Sequence, residues 1–181
     1  MKIIAIRHGQ TDWNSARKVQ GKTDIPLNKQ GLEQARKSAK ALLNAEIEII
    51  ISSPLKRALE TAEVTAKSLN HNVNIICDSR LVERNFGDYE GLLIDDVDII
   101  ALRNYTANHP IPNGETIREV VSRVFECLDE ILNKYKGQNI LLVTHGHVMR
   151  AVFWYFNGLP QSDENPSFKI DNCEIYEFTL K

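Results

Sequence analysis

The sequence predicts an α/β chain built on a mainly parallel central sheet flanked by helices, and three observations lead there. Short runs rich in isoleucine, valine and leucine recur at residues 2–6, 46–51, 73–77 and 139–144. They do not alternate strictly between apolar and polar residues, as expected of parallel strands covered on both faces. Between them the apolar residues recur at helical spacing, and strands that alternate with helices build parallel sheets.

The elements can be taken in order. Lys2–Ile6 is the first strand. From Leu32, the positions Leu32, Ala35, Ala39, Leu42 and Leu43 form one helical stripe. After the strand Glu46–Ile51, a second stripe runs Leu55, Ala58, Leu59, Ala62, Ala66 and Leu69. Pro54 is placed as its first helical residue, where a missing N–H costs nothing. Val73–Cys77 is the third strand. The longest stripe runs from Ile117 through Val120, Val121, Val124, Leu128 and Ile131 to Leu132, with Gly137 as a stop signal. Asn139–Thr144 is the fourth strand. A last helix is expected from about Val148 to Phe156, apolar nearly all round, so its aromatic run Phe153 to Phe156 reads as core. Cys173–Leu180 alternates weakly and reads as an edge strand.

Residues 84–116 are the least regular part, punctuated by Gly87, Gly91, Pro110, Pro112 and Gly114. They read as an insertion with one short helix near 93–104. With no internal repeat, low-complexity tract or linker, residues 1–181 are expected to form one domain, a length within the ordinary range of roughly 100–200 residues.

The formal net charge is −2, so no global basic field draws the chain to nucleic acid or anionic lipid. The three cysteines, Cys77, Cys127 and Cys173, are odd in number and lack metal or redox spacing. They fit a reducing, cytoplasmic setting better than a disulfide framework. The apolar run after Met1-Lys2 stops at Arg7-His8, too short for a secretory leader, and nothing approaches the ~20 apolar residues of a membrane span.

Three strand ends carry residues with no obvious structural task. The first runs into Arg7-His8-Gly9, the second into Ser52-Ser53-Pro54 with Arg57 close behind, and the fourth into Thr144-His145-Gly146-His147. Parallel strands end on one edge, where crevices bind ligands, so Arg7, His8, Arg57 and His145 can converge. Two guanidiniums and two imidazoles make a local cationic pocket that matches a phosphate dianion. Gly9 and Gly146 let ligand and backbone approach closely. A neutral imidazole can attack phosphorus and form a phosphohistidine. The leaving oxygen then needs a proton, and Glu83, just after the third strand, is the best candidate acid.

Asn14 either donates to the ligand or caps a short helical turn. Glu83 alternatively pairs with Arg80 or Arg84. His145-x-His147 lacks a nearby carboxylate or cysteine and is not read as a metal site. His71 and His109 read as surface residues, and Asp95, Asp96 and Asp98 as a solvated acidic face.

The run Arg7-His8-Gly9-Gln10-Thr11-Asp12-Trp13-Asn14 resembles the signature of the histidine phosphatase superfamily, in the branch that includes cofactor-dependent phosphoglycerate mutases. Four further blocks resemble that family in the same order: Gln20 to Asn28 with Gly31, Ser52 to Ala58 with Thr61-Ala62, Glu83 with Phe86-Gly87 and Glu90-Gly91, and Thr144-His145-Gly146. The resemblance implies a phosphoglycerate mutase-like three-layer sandwich. It implies His8 as the phosphorylated nucleophile, with Arg7, Arg57 and His145 on the phosphoryl oxygens and Asn14 as an additional donor. Glu83 would be the proton donor, Gln20, Gly21 and Thr23 would line the substrate side next to Gly146, and neither metal nor cofactor would be needed.

Mutases of this family carry His-Tyr-Gly and then a lysine and an arginine pair after the acid. Here the stretch reads Asn85-Phe86-Gly87 and then Leu92 to Asp96, and Arg103 is the one basic residue between Arg84 and His109. Hydrolysis of a small-molecule phosphate ester is therefore expected, with mutase-type transfer or a non-catalytic phospho-ligand module as alternatives. Among family members, the chain resembles broad-specificity and α-ribazole phosphatases. The acidic and apolar insertion predicts a bulkier, more neutral leaving group. The proposed roles also predict a bell-shaped pH profile, rising as His8 deprotonates and falling as Glu83 does. Oligomeric state is not legible.

Overall fold

The computed structural model describes residues 1–161 and 169–179. Its elements are β1 (Lys2–Arg7), α1 (Asp12–Ser15), α2 (Lys29–Ala41), β2 (Ile49–Ser52), α3 (Lys56–Ser68), β3 (Asn74–Cys77), α4 (Ile99–Leu102), α5 (Ile117–Lys134), β4 (Ile140–Thr144), α6 (Gly146–Asn157) and β5 (Ile175–Thr179). Three 3₁₀ turns, Ser79–Leu81, Gly87–Tyr89 and Ile94–Asp96, interrupt the segment between β3 and α4.

The five strands form one sheet in the order β3-β2-β4-β1-β5. β1, β2, β3 and β4 run parallel, and β5 joins β1 antiparallel at the edge. Alternate side chains of each strand feed opposite faces. Ile3, Ala5, Ile140 and Leu142 pack under α5 and α6, while Ile4, Ile6, Leu141 and Val143 pack under α2 and α3. The two cores and the sheet between them make three layers, which is why these strands look uniformly apolar in sequence.

Several boundaries differ from the sequence reading for local reasons. The second strand begins at Ile49 rather than Glu46, because Glu46 takes a left-handed φ of 51°. Pro54 is not the first helical residue: Leu55 is the extended N-cap, and α3 starts at Lys56. The expected helix near 93–104 is split in two, because Val97 is extended at the end of one 3₁₀ turn and the Asp98 side chain caps α4 by accepting from Ala101 N–H. The edge strand is present, although Leu180 lies outside the described residues.

α1 is too short to show a stripe; it is the short helical turn expected at Asn14, but Thr11 rather than Asn14 is its N-cap. A capping box makes it: the Thr11 hydroxyl accepts from Asn14 N–H, while Asn14 Oδ1 accepts from Thr11 N–H. α2 then packs onto the loop after β1 through two glycines. A Cβ on Gly9 would lie 2.4 Å from the Gly31 carbonyl oxygen, and one on Gly31 would lie 2.0 Å from that of Gln10.

Candidate active site

Sheet register assembles the site. Arg7 pairs with Thr144 and Ser52 with Val143, so the next residue of each strand, His8, His145 and Ser53, sits on one edge. The His8 and His145 ring centroids are 5.1 Å apart. A cavity of about 340 Å³ opens there, with His8, Arg7, Arg57 and Glu83 on its wall. His145 is fully buried directly beside His8.

Hydrogen bonding sets the tautomer of His8. Its Nδ1 lies 2.7 Å from the carbonyl of Gly9, which can only accept, so Nδ1 carries the proton. Nε2 is left with a lone pair. Burial, with His145, Arg57 and Arg7 around it, pushes this imidazole well below its ordinary pKa, so it is neutral at pH 7. The backbone is held as firmly, since His8 N–H donates to Thr144 and Gly9 N–H to the Thr61 hydroxyl.

The arginines are braced from behind. Arg57 is fully buried and donates Nη1 to the Thr23 carbonyl and Nη2 to the Gly21 carbonyl, each at 2.8 Å. Arg7 donates Nη1 to the Ile170 carbonyl. In both, Nε is buried without a hydrogen-bond partner among the described residues. Burial lowers both pKa values, that of Arg57 to about 10, and both stay charged at neutral pH.

Glu83 enters from the turn after β3. Its carboxylate accepts from Arg84 N–H at 2.9 Å and from His147 N–H at 3.2 Å. It does not pair with the side chain of Arg80, which bridges Asp78 and Glu130, nor with that of Arg84, which reaches carbonyls of the insertion. Burial works to raise the Glu83 carboxyl, but His147, His145 and the Arg84 N–H outweigh it and hold it well below the usual carboxylate value. The His147 ring is 3.9 Å away and is itself pushed down to about 4 by burial.

The remaining sequence candidates divide. Asn14, Gln20, Gly21 and Gly146 all line the cavity. Asn14 is the third residue of α1 rather than its N-cap, with Oδ1 accepting from Thr11 N–H in the capping box. Thr23 is not on the wall. Its hydroxyl donates to Glu90 Oε2 at 2.6 Å and its carbonyl braces Arg57, so it shapes the site from outside. Gly21 needs its glycine: φ is 53°, and a Cβ would strike the Glu90 carboxylate.

Four contributors were given no site role in the sequence reading. Glu90 ties the 20–23 loop down by accepting from Lys22, Thr23 and Phe86 N–H. Ser53 Oγ contacts His145 Nε2. Arg103 and Arg150 line the cavity. Arg150 could have been found, because it lies one helical turn beyond Gly146 on α6, and Ser53 because it directly follows β2 on the common edge; Glu90 and Arg103 depend on loop paths that have no period.

The acidic reading of the insertion does not describe this cavity. Asp95 turns outward to Arg17, and Asp96 and Asp98 line a separate hollow with Tyr89 and His109. His71 and His109 are exposed, as expected. Among the described residues, no cluster of three or more His, Cys, Asp or Glu has metal-binding geometry, and no helix is long and apolar enough to cross a membrane.

The profile of the histidine phosphatase superfamily, branch 1, matches residues 3–181. The uncharacterized phosphatase PhoE of Bacillus subtilis is 36% identical over 156 residues, covering 86% of this chain and 77% of its own. The phosphoglycerate mutase-like protein 4 of Arabidopsis thaliana is 36% identical over 160 residues, covering 84% and 69%. Among solved structures, a mycobacterial glucosyl-3-phosphoglycerate phosphatase superposes with a TM-score of 0.88 at 26% identity, over 98% of this chain and 92% of its own. A phosphoserine phosphatase from Entamoeba histolytica gives 0.82 at 27%, over 98% and 90%.

Proposed function

This chain belongs to the histidine phosphatase superfamily, branch 1, and on that footing we propose that it hydrolyses a small-molecule phosphate monoester through a phosphohistidine on His8. The observation that carries this reading is the 2.7 Å contact of His8 Nδ1 with the Gly9 carbonyl, which leaves Nε2 unprotonated on a cavity shared with Arg7 and Arg57.

Nε2 attacks phosphorus in line with the ester oxygen. As the N–P bond forms and the P–O bond breaks, Arg7, Arg57 and the Asn14 amide stabilise charge on the equatorial oxygens. Glu83 protonates the leaving oxygen. In the empty site its carboxyl is ionised, but a phosphate dianion beside it is a like charge and raises its pKa, so the complex takes up the proton. Water then attacks the phosphohistidine and gives its proton to Glu83, releasing inorganic phosphate and restoring His8. In this scheme no step calls for a metal, and the 1–181 chain acts as one catalytic domain.

The test is phosphate release from p-nitrophenyl phosphate and other monoesters in the presence of EDTA, with mutase turnover followed in parallel. The expected result is EDTA-resistant release that disappears in His8→Ala, with a phosphoryl adduct on wild type after alkaline quench. Mutase turnover without net release would instead favour transfer. Ligand binding without either reaction would favour a recognition module.

A further inference from the structure

The chain returns to the active site just before β5. The Asp171 carbonyl accepts from Glu174 N–H at 3.2 Å, and Cys173 takes a left-handed φ of 59°, so residues 171–174 form a tight turn. The β1–β5 ladder runs on into it. Arg7 N–H donates to the Glu174 carbonyl at 3.2 Å, and Cys173 N–H donates to the Arg7 carbonyl at 2.9 Å. The turn is thereby pinned beside the last residue of β1, one position before His8. Ile170, directly ahead of it, is buried with residues of α5 and α6, and its carbonyl accepts from Arg7 Nη1.

Asn172, the second residue of this turn, is half-buried and reaches two groups of the site. Its Nδ2 donates to the His8 carbonyl at 3.0 Å and to Asn14 Oδ1 at 3.4 Å. One amide nitrogen carries two N–H bonds, enough for both acceptors. Backbone groups fix every orientation in this row of contacts. Thr11 N–H can only donate, so the atom of Asn14 that faces it at 3.1 Å is Oδ1. That oxygen can only accept, as can the His8 carbonyl, so the atom Asn172 turns to both is its nitrogen. Flipping the Asn14 amide would set N–H against N–H twice, and unmatched donors are costly. Asn14 therefore keeps its amide nitrogen for the cavity that its side chain lines.

We propose that Asn172 is a positioning residue for phosphoryl transfer: it couples the backbone of His8 to the side chain of Asn14, so that nucleophile and donor meet the phosphoryl group in fixed geometry. Asn172 need touch no substrate atom, because it acts through those two residues. Small displacements of reacting groups are expensive in rate, which is what such a coupling prevents. The proposal rests on the phosphatase reading above.

The experiment is a double-mutant cycle of Asn14→Ala and Asn172→Ala, read as kcat on p-nitrophenyl phosphate. Asn172→Ala should lower kcat about 10-fold, the worth of one such hydrogen bond. In the Asn14→Ala background it should cost about 3-fold or less, because the donor it orients is gone. A merely structural turn would give the same factor in both backgrounds, and that result, or an unchanged kcat, would overturn the proposal. If wild type hydrolyses no ester, the phosphatase reading fails separately. Calorimetric affinities of the same four proteins for orthovanadate, which adopts the five-coordinate geometry of transfer, then carry the cycle. Non-additive losses support the coupling, and additive or absent losses sink it. Proton exchange at asparagine side chains of wild type, followed by NMR, needs neither turnover nor a variant. Slow exchange at Asn172 Nδ2 supports its two hydrogen bonds, and exchange as fast as at the exposed Asn70 rules them out.

Discussion

Ser53 Oγ lies 2.8 Å from Nε2 of His145, and the direction of that hydrogen bond determines what His145 can offer a ligand. With Leu55 N–H donating to Ser53 Oγ at 3.3 Å, the hydroxyl proton is expected to go to His145 Nε2. The proton of the neutral ring then sits on Nδ1, which is buried without a partner. Burial and the charge of Arg57 push His145 well below its ordinary pKa, so it cannot protonate both nitrogens at neutral pH. Ser53 thus acts as a positioning residue that presents Nδ1–H as a donor next to His8.

Ser53→Ala should lower kcat about 10-fold, the worth of one buried hydrogen bond, with a smaller change in KM. Ser53→Thr should recover most of the loss. Steady-state kinetics on p-nitrophenyl phosphate checks this, and nitrogen NMR of His145 reads the tautomer directly. An unchanged tautomer in Ser53→Ala would remove the positioning role.

Glu83→Gln should discriminate between leaving groups. An alkyl phosphate needs protonation of its leaving oxygen and should lose about 10²- to 10⁴-fold in kcat. p-Nitrophenyl phosphate, whose leaving group needs little help, should lose far less at the step that forms the phosphohistidine. Burst kinetics isolates that step, and equal losses on the two esters would take the acid role away from Glu83.

The pH profile should sit lower than ordinary histidine chemistry suggests. His8 must be neutral to attack, and burial beside His145, Arg57 and Arg7 lowers its pKa, so its acid limb should fall well below pH 6.5. Glu83 is ionised in the empty site, so the alkaline limb reports loss of the proton that enters with the substrate, whose own second pKa is about 6. The bell is therefore displaced to acid. Profiles of kcat/KM from pH 4.5 to 8 would show it, and an acid limb centred at pH 6.5 would contradict it.

Stability should fall with acid in the same region. His147 is held neutral with a pKa of about 4, against 6.5 when unfolded. Below pH 6.5 the unfolded chain gains a proton that the folded chain does not, so stability is full above that pH and declines down to about 4. This one group accounts for a loss on the order of 3 kcal/mol. Thermal melts of wild type and His147→Gln should differ in slope between those values, the variant being flatter.

Glu90→Ala should damage the site without touching a ligand. The carboxylate holds Lys22, Thr23 and Phe86, and the Gly21 and Thr23 carbonyls in turn hold Arg57. A melting curve should show a loss of about 2–4 kcal/mol, and affinity for inorganic phosphate should weaken with it. Normal phosphate affinity in a destabilised Glu90→Ala would separate the brace from Arg57.

Much of the architecture was readable from pattern. Four parallel strands and the helices between them leave periods of their own, because burial on both sheet faces or along one helix stripe is repeated residue by residue. The order of those elements also placed Arg7, His8 and His145 at strand ends on a common edge. The sequence by itself thus determined the layers, the family blocks and the principal candidates around His8. Tertiary structure alone decided which atoms point where. Gly9 and Ser53 select tautomers, Thr23 turns its hydroxyl to Glu90 rather than to the cavity, and Asp95 faces Arg17 while Arg103 faces inward. These outcomes follow from loop paths, register and hydrogen-bond saturation among residues distant in the chain. Such relations have no period along the sequence, and the charge of the insertion misled for that reason: composition counts carboxylates and guanidiniums but does not aim them.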